Sequence, residues 1–268
     1  MKKGTRDAVI TVAAAVAVVA VVFSGLYAYS GIWPPFSVIE SGSMQHSDRS
    51  TFDTIDTGDV VVVRSPDKVS IRTYVDGYKE GYMKFGDYGD VIVYERTGLN
   101  PVIHRAVIWL DWNPGKGIWE APSLEGFPED KWSNGGGHEY MNMSGVLTFH
   151  DYGFSSQTIH LNLDLLPKVS GYATKGDNPV TNPSFDVDGV PGVKGLIPED
   201  RVLYVAGFSI PWLGVIKLYL SGDQKAISAI PANSVPEMIA MAVAVISVFA
   251  ALFVIGDYIS WYRRKDDQ

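Results

Sequence analysis

The sequence predicts a mainly β protein, a twisted antiparallel β-domain held between two transmembrane helices. Three observations carry that expectation. Uncharged apolar stretches lie near both ends, with no charge from Ala8 to Ile39 or from Met238 to Gly256. Between them, short β-branched runs are separated by clusters of Gly, Pro, Asn and Asp. No helical period of convincing length interrupts that middle.

Taken in order, residues 1–7 form a basic N-terminus carrying Lys2, Lys3 and Arg6. Residues 8–30 follow as the first anchor, since a helix crossing ~30 Å of hydrocarbon needs roughly 20 apolar residues. A cleaved signal peptide is the competing reading, because Ala28-Tyr29-Ser30 resembles a small-x-small cleavage site. The apolar core exceeds the usual length of about 7–15 residues, which favours an anchor. Val60–Val63 and Val91–Tyr94 read as strands, each entered through Gly-Asp (Gly58-Asp59, Gly89-Asp90). Val102–Leu110 and Val202–Phe208 read as two more. Residues 111–140, rich in Gly, Pro and Trp, read as irregular connections, with further strand-like pieces in 141–173. Residues 237–258 form the second anchor, with Tyr258, Trp261 and Tyr262 placed like an interfacial belt. A basic tail, 259–268, carries Arg263, Arg264 and Lys265.

Charge orients this layout. The basic ends place both termini in the cytoplasm by the positive-inside rule. The middle, 31–236, holds 16 Lys and Arg against 25 Asp and Glu and then lies outside. An acidic chain with net charge −8 and no basic stripe is not a nucleic-acid binder. With no cysteine, disulfides, thiol nucleophiles and Cys-based metal sites are excluded. The sequon Asn142-Met143-Ser144 is compatible with an outside location.

Chemistry points to one place. Just beyond the first anchor lies Ile39-Glu40-Ser41-Gly42-Ser43-Met44-Gln45-His46. Alone it is ordinary turn composition. Downstream come Gly58-Asp59-Val60-Val61-Val62, Gly89-Asp90-Val91-Ile92-Val93, Val102-Ile103-His104-Arg105, and Thr174-Lys175-Gly176-Asp177-Asn178. This ordered series resembles the type I signal peptidases, in their archaeal and endoplasmic-reticulum branch. The resemblance covers about 38–110 and 171–220. No single box is specific, but the ordered set behind a membrane anchor is.

The resemblance implies a signal-peptidase-like fold, with its catalytic β-domain in two parts (31–110 and 171–236) and 111–170 inserted between them. It implies Ser43 as nucleophile and, where the bacterial branch carries a Lys general base, His104. The chemistry agrees: a serine hydroxyl needs a neighbouring base, and a neutral imidazole can accept its proton. The Ser43 N–H and the Ser41 hydroxyl are the implied oxyanion donors. A carboxylate should orient His104. The family has Gly-Asp-Asn and a second Asp about six residues on. Asp177 fits the first, but position 183 is Pro, so Asp186 and Asp188 compete for the second role. Asp186, closing an Asn-Pro-x-x-Asp turn, is the preferred acid, and Asp177 remains an alternative. His46 is a competing base. The stretch Ala206–Leu220 reads either as a segment dipping toward lipid or as a pair of core strands.

Other motifs fail. Ser65-Pro66-Asp67-Lys68 lacks the partner boxes of penicillin-binding proteins. His138, His150 and His160 are too scattered for a metal site. The expected activity is cleavage of signal peptides from secreted preproteins, at the plasma membrane, without cofactor or metal. The expected partners are preproteins, the lipid bilayer and the protein-export machinery. A non-enzymatic anchored β-domain with degenerate peptidase boxes, serving binding or envelope assembly, is the alternative.

Overall fold

A computed structural model describes residues 3–266, with only the backbone described for 3–5, 7, 8, 259–261 and 263–266. Lys2, and the side chains of Lys3, Arg263, Arg264 and Lys265 that set the expected orientation, therefore lie outside the described groups. In chain order the elements are α1 (Lys3–Ser30), β1 (Phe36–Val38), β2 (Val60–Arg64), α2 (Tyr74–Glu80), β3 (Met83–Lys84) and β4 (Asp87–Tyr88). Next come β5 (Val91–Arg96), β6 (Leu99–Asn113), β7 (Ile118–Glu120), β8 (Trp132–Asn134), β9 (Val146–Tyr152), β10 (Gln157–Asn162) and β11 (Gly171–Lys175). The chain ends with α3 (Asp186–Gly189), β12 (Val202–Ile210), α4 (Val215–Ser221), α5 (Gln224–Ser228) and α6 (Ser234–Asp266).

Most of α1 and α6 projects from the β structure, while the C-terminal end of α1 packs on it, with Tyr29 against Phe208 and the Ser30 carbonyl accepting the Ser65 N–H at 2.8 Å. Their spans Val9–Ser30 and Ser234–Tyr258 are long and apolar enough to cross a membrane, and neither is buried in the protein. Val21 and Phe253 are 72% and 71% exposed, which water would penalise and lipid would not.

The chain between them is mainly antiparallel β. The principal sheet runs β1-β2-β12-β5-β6-β11, with β7 paired to the far end of β6. β2 sits inside this sheet, and Val60–Val63 are buried on both faces, which is why the run is continuously apolar rather than alternating. Strand β6 pairs with β5 through Leu99–Arg105 and with β11 through Arg105–Leu110. One strand thus carries His104 and Arg105 through the centre of the molecule.

The two Gly-Asp steps share one device. Gly58 and Gly89 take positive φ of 96° and 79°. A Cβ on Gly89 would lie 2.5 Å from the Thr73 backbone. The aspartate that follows turns inward and accepts a distant backbone N–H: Trp212 at Asp59, and Arg72 at Asp90, each 2.9 Å away. Each pair enters a strand and ties a remote loop to it.

Residues 111–140 depart from the expected irregular connections. β6 continues to Asn113, β7 pairs back on it, and β8 joins β9 and β10 in a three-stranded sheet. Trp119 and Trp132 are buried there, with Trp119 Nε1–H donating to the Leu163 carbonyl at 3.1 Å. Their core is continuous with Val107, Ile108 and Leu110 of the principal sheet. Aromatic burial, not alternation, makes these strands, so a periodicity reading passes over them. Ala206–Leu220 is not a pair of strands: β12 ends at Ile210, Trp212 turns the chain at φ 62°, and α4 follows. α4 exposes Ile216, Tyr219 and Leu220.

Candidate functional site

Ser43 lies on the loop joining β1 to β2. Met44 is buried among Ile39, Ile55, Val61, Val63 and Phe85, and pins the loop to the sheet. Asn178 holds the other side: its N–H donates to the Ser43 carbonyl at 3.0 Å and its Nδ2 to the Gly42 carbonyl at 2.8 Å. The Ser-Gly-Ser-Met and Gly-Asp-Asn segments, far apart in sequence, are therefore stitched together. Ser41 Oγ lies 3.3 Å from Ser43 Oγ.

His104, 2% exposed, presents Nδ1 to Asp186 Oδ2 at 2.8 Å. Nδ1–H donates to the carboxylate, leaving Nε2 of the neutral ring as the basic nitrogen. Asp186 opens the single turn of α3 and is buried. The Tyr94 hydroxyl donates to the same Oδ2 at 2.7 Å, while Oδ1 is buried without a partner. Burial pushes this carboxyl up, but the adjacent His104 and the hydrogen bonds outweigh it and hold it below its ordinary range.

Asp177 occupies a different setting. Arg105 grips both its oxygens, Nε to Oδ1 at 2.9 Å and a terminal N–H to Oδ2 at 2.5 Å. His46 Nε2 reaches Oδ2 at 3.0 Å, with its ring stacked on Phe154 at 3.9 Å. Burial opposes ionisation, yet the Arg105 charge and these hydrogen bonds bring Asp177 to about 2. The guanidinium fork thus turns Asp177 toward Arg105 and His46 rather than His104. Asp188 is exposed on the turn beyond Asp186. Of the three candidate carboxylates, Asp186 is the one against His104.

Gly176 joins the parts. A Cβ there would lie 2.6 Å from the Ser43 carbonyl oxygen, 2.7 Å from Asn182 Cγ and 2.9 Å from His104 Nε2. The Ser43 backbone and the imidazole thus pack against one glycine. Among the described residues no hydrogen bond joins Ser43 Oγ to His104. Lys175, fully buried, donates from Nζ to the Gly176 carbonyl at 2.9 Å. Burial lowers its pKa against the pull of nearby Asp177 and Asp186.

Ser41, Ser43 and His104 line a cleft of about 790 Å³, with Val38, Ile39, Val93, Ile103 and Tyr204 among its apolar walls. Sequence reasoning passed over Tyr94, Lys175 and Gly176. Tyr94 read only as a strand residue, and a glycine needed for close approach gives no sign beyond being glycine. No group of three or more His, Asp or Glu able to hold a metal occurs among the described residues. No family model, curated protein or solved structure matches the chain.

Proposed function

We propose that this chain is a membrane-anchored serine endopeptidase of the signal-peptidase type that removes N-terminal signal peptides from exported preproteins. The observation that carries the reading is the buried His104–Asp186 pair in a cleft lined by Ser43, on a chain bracketed by two apolar helices. His104 Nε2 takes the Ser43 proton as Oγ attacks the scissile carbonyl. The C–N bond breaks, and His104 returns that proton to the leaving amine. Water, activated by the same imidazole, then hydrolyses the acyl ester. Asp186 orients the ring and stabilises the imidazolium. The Ser43 N–H and the Ser41 hydroxyl receive the developing oxyanion.

Substrate enters as an added strand. β1 is an edge of the sheet, pairing with β2 on one side only, and it borders the cleft. The apolar part of the cleft wall, Val38, Ile39 and Val93, suits small side chains at the −1 and −3 positions. The basic ends place both termini in the cytoplasm of a cell whose plasma membrane carries the protein, with the β-domain outside.

The alternative, a non-enzymatic binding domain, draws support from the missing Ser43–His104 hydrogen bond. Ligand-free sites often leave that contact open until substrate arrives. Replacing Ser43 with Ala in the full chain decides between them. Loss of preprotein cleavage in detergent or lipid, with an unchanged melting profile, is expected. Wild-type rates in the variant would refute the serine mechanism.

A further inference from the structure

A second cavity, of about 420 Å³, lies on the other side of the loop that holds Ser43. Its volume is within the range of about 300–1,000 Å³ usual for ligand sites. Three segments build it: Gln45–Asp48 following the Ser43 loop, Asn178–Thr181 following the Gly-Asp-Asn segment, and Ser228–Ala232 leading into α6. Gln45 Nε2 donates to the Ala229 carbonyl at 3.3 Å, closing the wall between the first and third. Asn233 reinforces it, accepting the Ser50 N–H at 2.8 Å and donating to the Ser50 carbonyl at 2.9 Å. Thr181 lines both this cavity and the cleft of Ser43 and His104, so the two are neighbours.

We infer that this cavity binds the segment of a polypeptide substrate immediately C-terminal to the scissile bond, in extended form and with neutral or basic side chains. The inference rests on the peptidase reading above. A peptide running along β1 toward Ser43 fills the larger cleft with the residues before the bond. The chain beyond the bond then continues past the Ser43 loop, where Gln45 and His46 begin the second cavity. Its lining mixes polar groups, Gln45, Ser47 and Asn178, which can hydrogen-bond an extended backbone, with apolar ones, Val180, Ile230 and Pro231. It contains one carboxylate, Asp48, and no Lys or Arg. The larger cleft, by contrast, holds Arg96, Lys217 and Lys225 against one carboxylate, Glu40, which pairs with Lys217 at 2.7 Å. An acidic residue just after the bond meets Asp48 unfavourably.

The test uses the full chain in detergent and two probes. One is a quenched peptide spanning the bond, with Lys or Glu at the second position after it. The other is a peptide ester that ends at the scissile carbonyl with a small alcohol as leaving group. Ala229→Trp fills the cavity and should lower the ratio of kcat/KM on the spanning peptide to that on the ester at least tenfold. Wild type should prefer Lys to Glu by about two- to fivefold, the scale of one exposed charge pair, and Asp48→Lys should reverse that order. An unaltered ratio in Ala229→Trp together with an unaltered order in Asp48→Lys overturns the inference and leaves the peptidase reading standing. Failure of wild type to cleave either probe overturns both.

Discussion

Gly176→Ala is the sharpest test of the site because the perturbation is one methyl group. Its carbon would fall 2.6 Å from the Ser43 carbonyl oxygen and 2.9 Å from His104 Nε2. Non-bonded carbon contacts are comfortable at roughly 3.5 Å, so these neighbours must move apart by about 0.6–0.9 Å. Neither can yield freely. The Ser43 carbonyl is held by the Asn178 N–H, and the imidazole by Asp186. Overpacking of this kind costs about 1–3 kcal/mol of stability. For catalysis the expectation is larger, since misplacing reacting groups by about 1 Å can cost 10²-fold in rate. We expect kcat on a preprotein substrate to fall between about 10- and 100-fold while the protein stays folded. Gly137→Ala is the control, because a Cβ there meets only the Asn134 carbonyl at 3.9 Å. The assay is single-turnover cleavage in detergent beside a thermal melt. Wild-type cleavage by Gly176→Ala would refute the packing of Ser43 and His104 about this glycine.

Three further outcomes follow from the same geometry. Asp186→Asn keeps the shape but removes the charge that stabilises the imidazolium, and kcat should drop by about 10⁴-fold, as in the general triad; a loss below tenfold would remove Asp186 from that role. Asp177, held at about 2 when folded against an ordinary 3.8, contributes stability that is present above pH 3.8 and lost as pH falls through 2, while Asp177→Asn leaves buried Arg105 without its counter-charge. Urea titrations from pH 7 to pH 2 should show the wild-type advantage over that variant shrinking toward acid, at about 3–5 kcal/mol at neutrality. Asp59 has the opposite sign: burial raises it to about 7 from 3.8, against the hydrogen bonds it accepts from Trp212 and Asp56. Its contribution is full below pH 3.8 and lost as pH rises through 7, so the stability of Asp59→Asn relative to wild type should improve from pH 4 to pH 8. A flat difference across that range would reject the burial argument.

Much of the layout was legible in the chain. The two spans are compositional: long apolar runs without charge, Ala8 to Ile39 and Met238 to Gly256, dictate a helix wherever water is excluded, whatever the neighbours. Strands β2 and β5 were legible because Val60–Val63 and Val91–Tyr94 favour extended backbone locally. β7 and β8 were not, because Trp119 and Trp132 become strand residues only when other segments bury them. Ser43 and His104 stood out through the ordered boxes around them, whereas His46, a competing base by sequence, sits on Asp177.

The carboxylates show where local reading stops. By sequence, Asp186 was the preferred acid on turn spacing alone, with Asp177 and Asp188 left as alternatives within one short stretch. The fold separates them because β6 carries His104 and Arg105 side by side, and neighbouring strand residues point to opposite faces. Arg105 takes Asp177 on one face. The chain from Asn178 to Phe185 delivers Asp186 to His104 on the other, while Asp188 is left in solvent. Residue type and spacing determined which groups were available; strand alternation and the loop's path decided which of them meet, because those depend on contacts between segments remote in sequence.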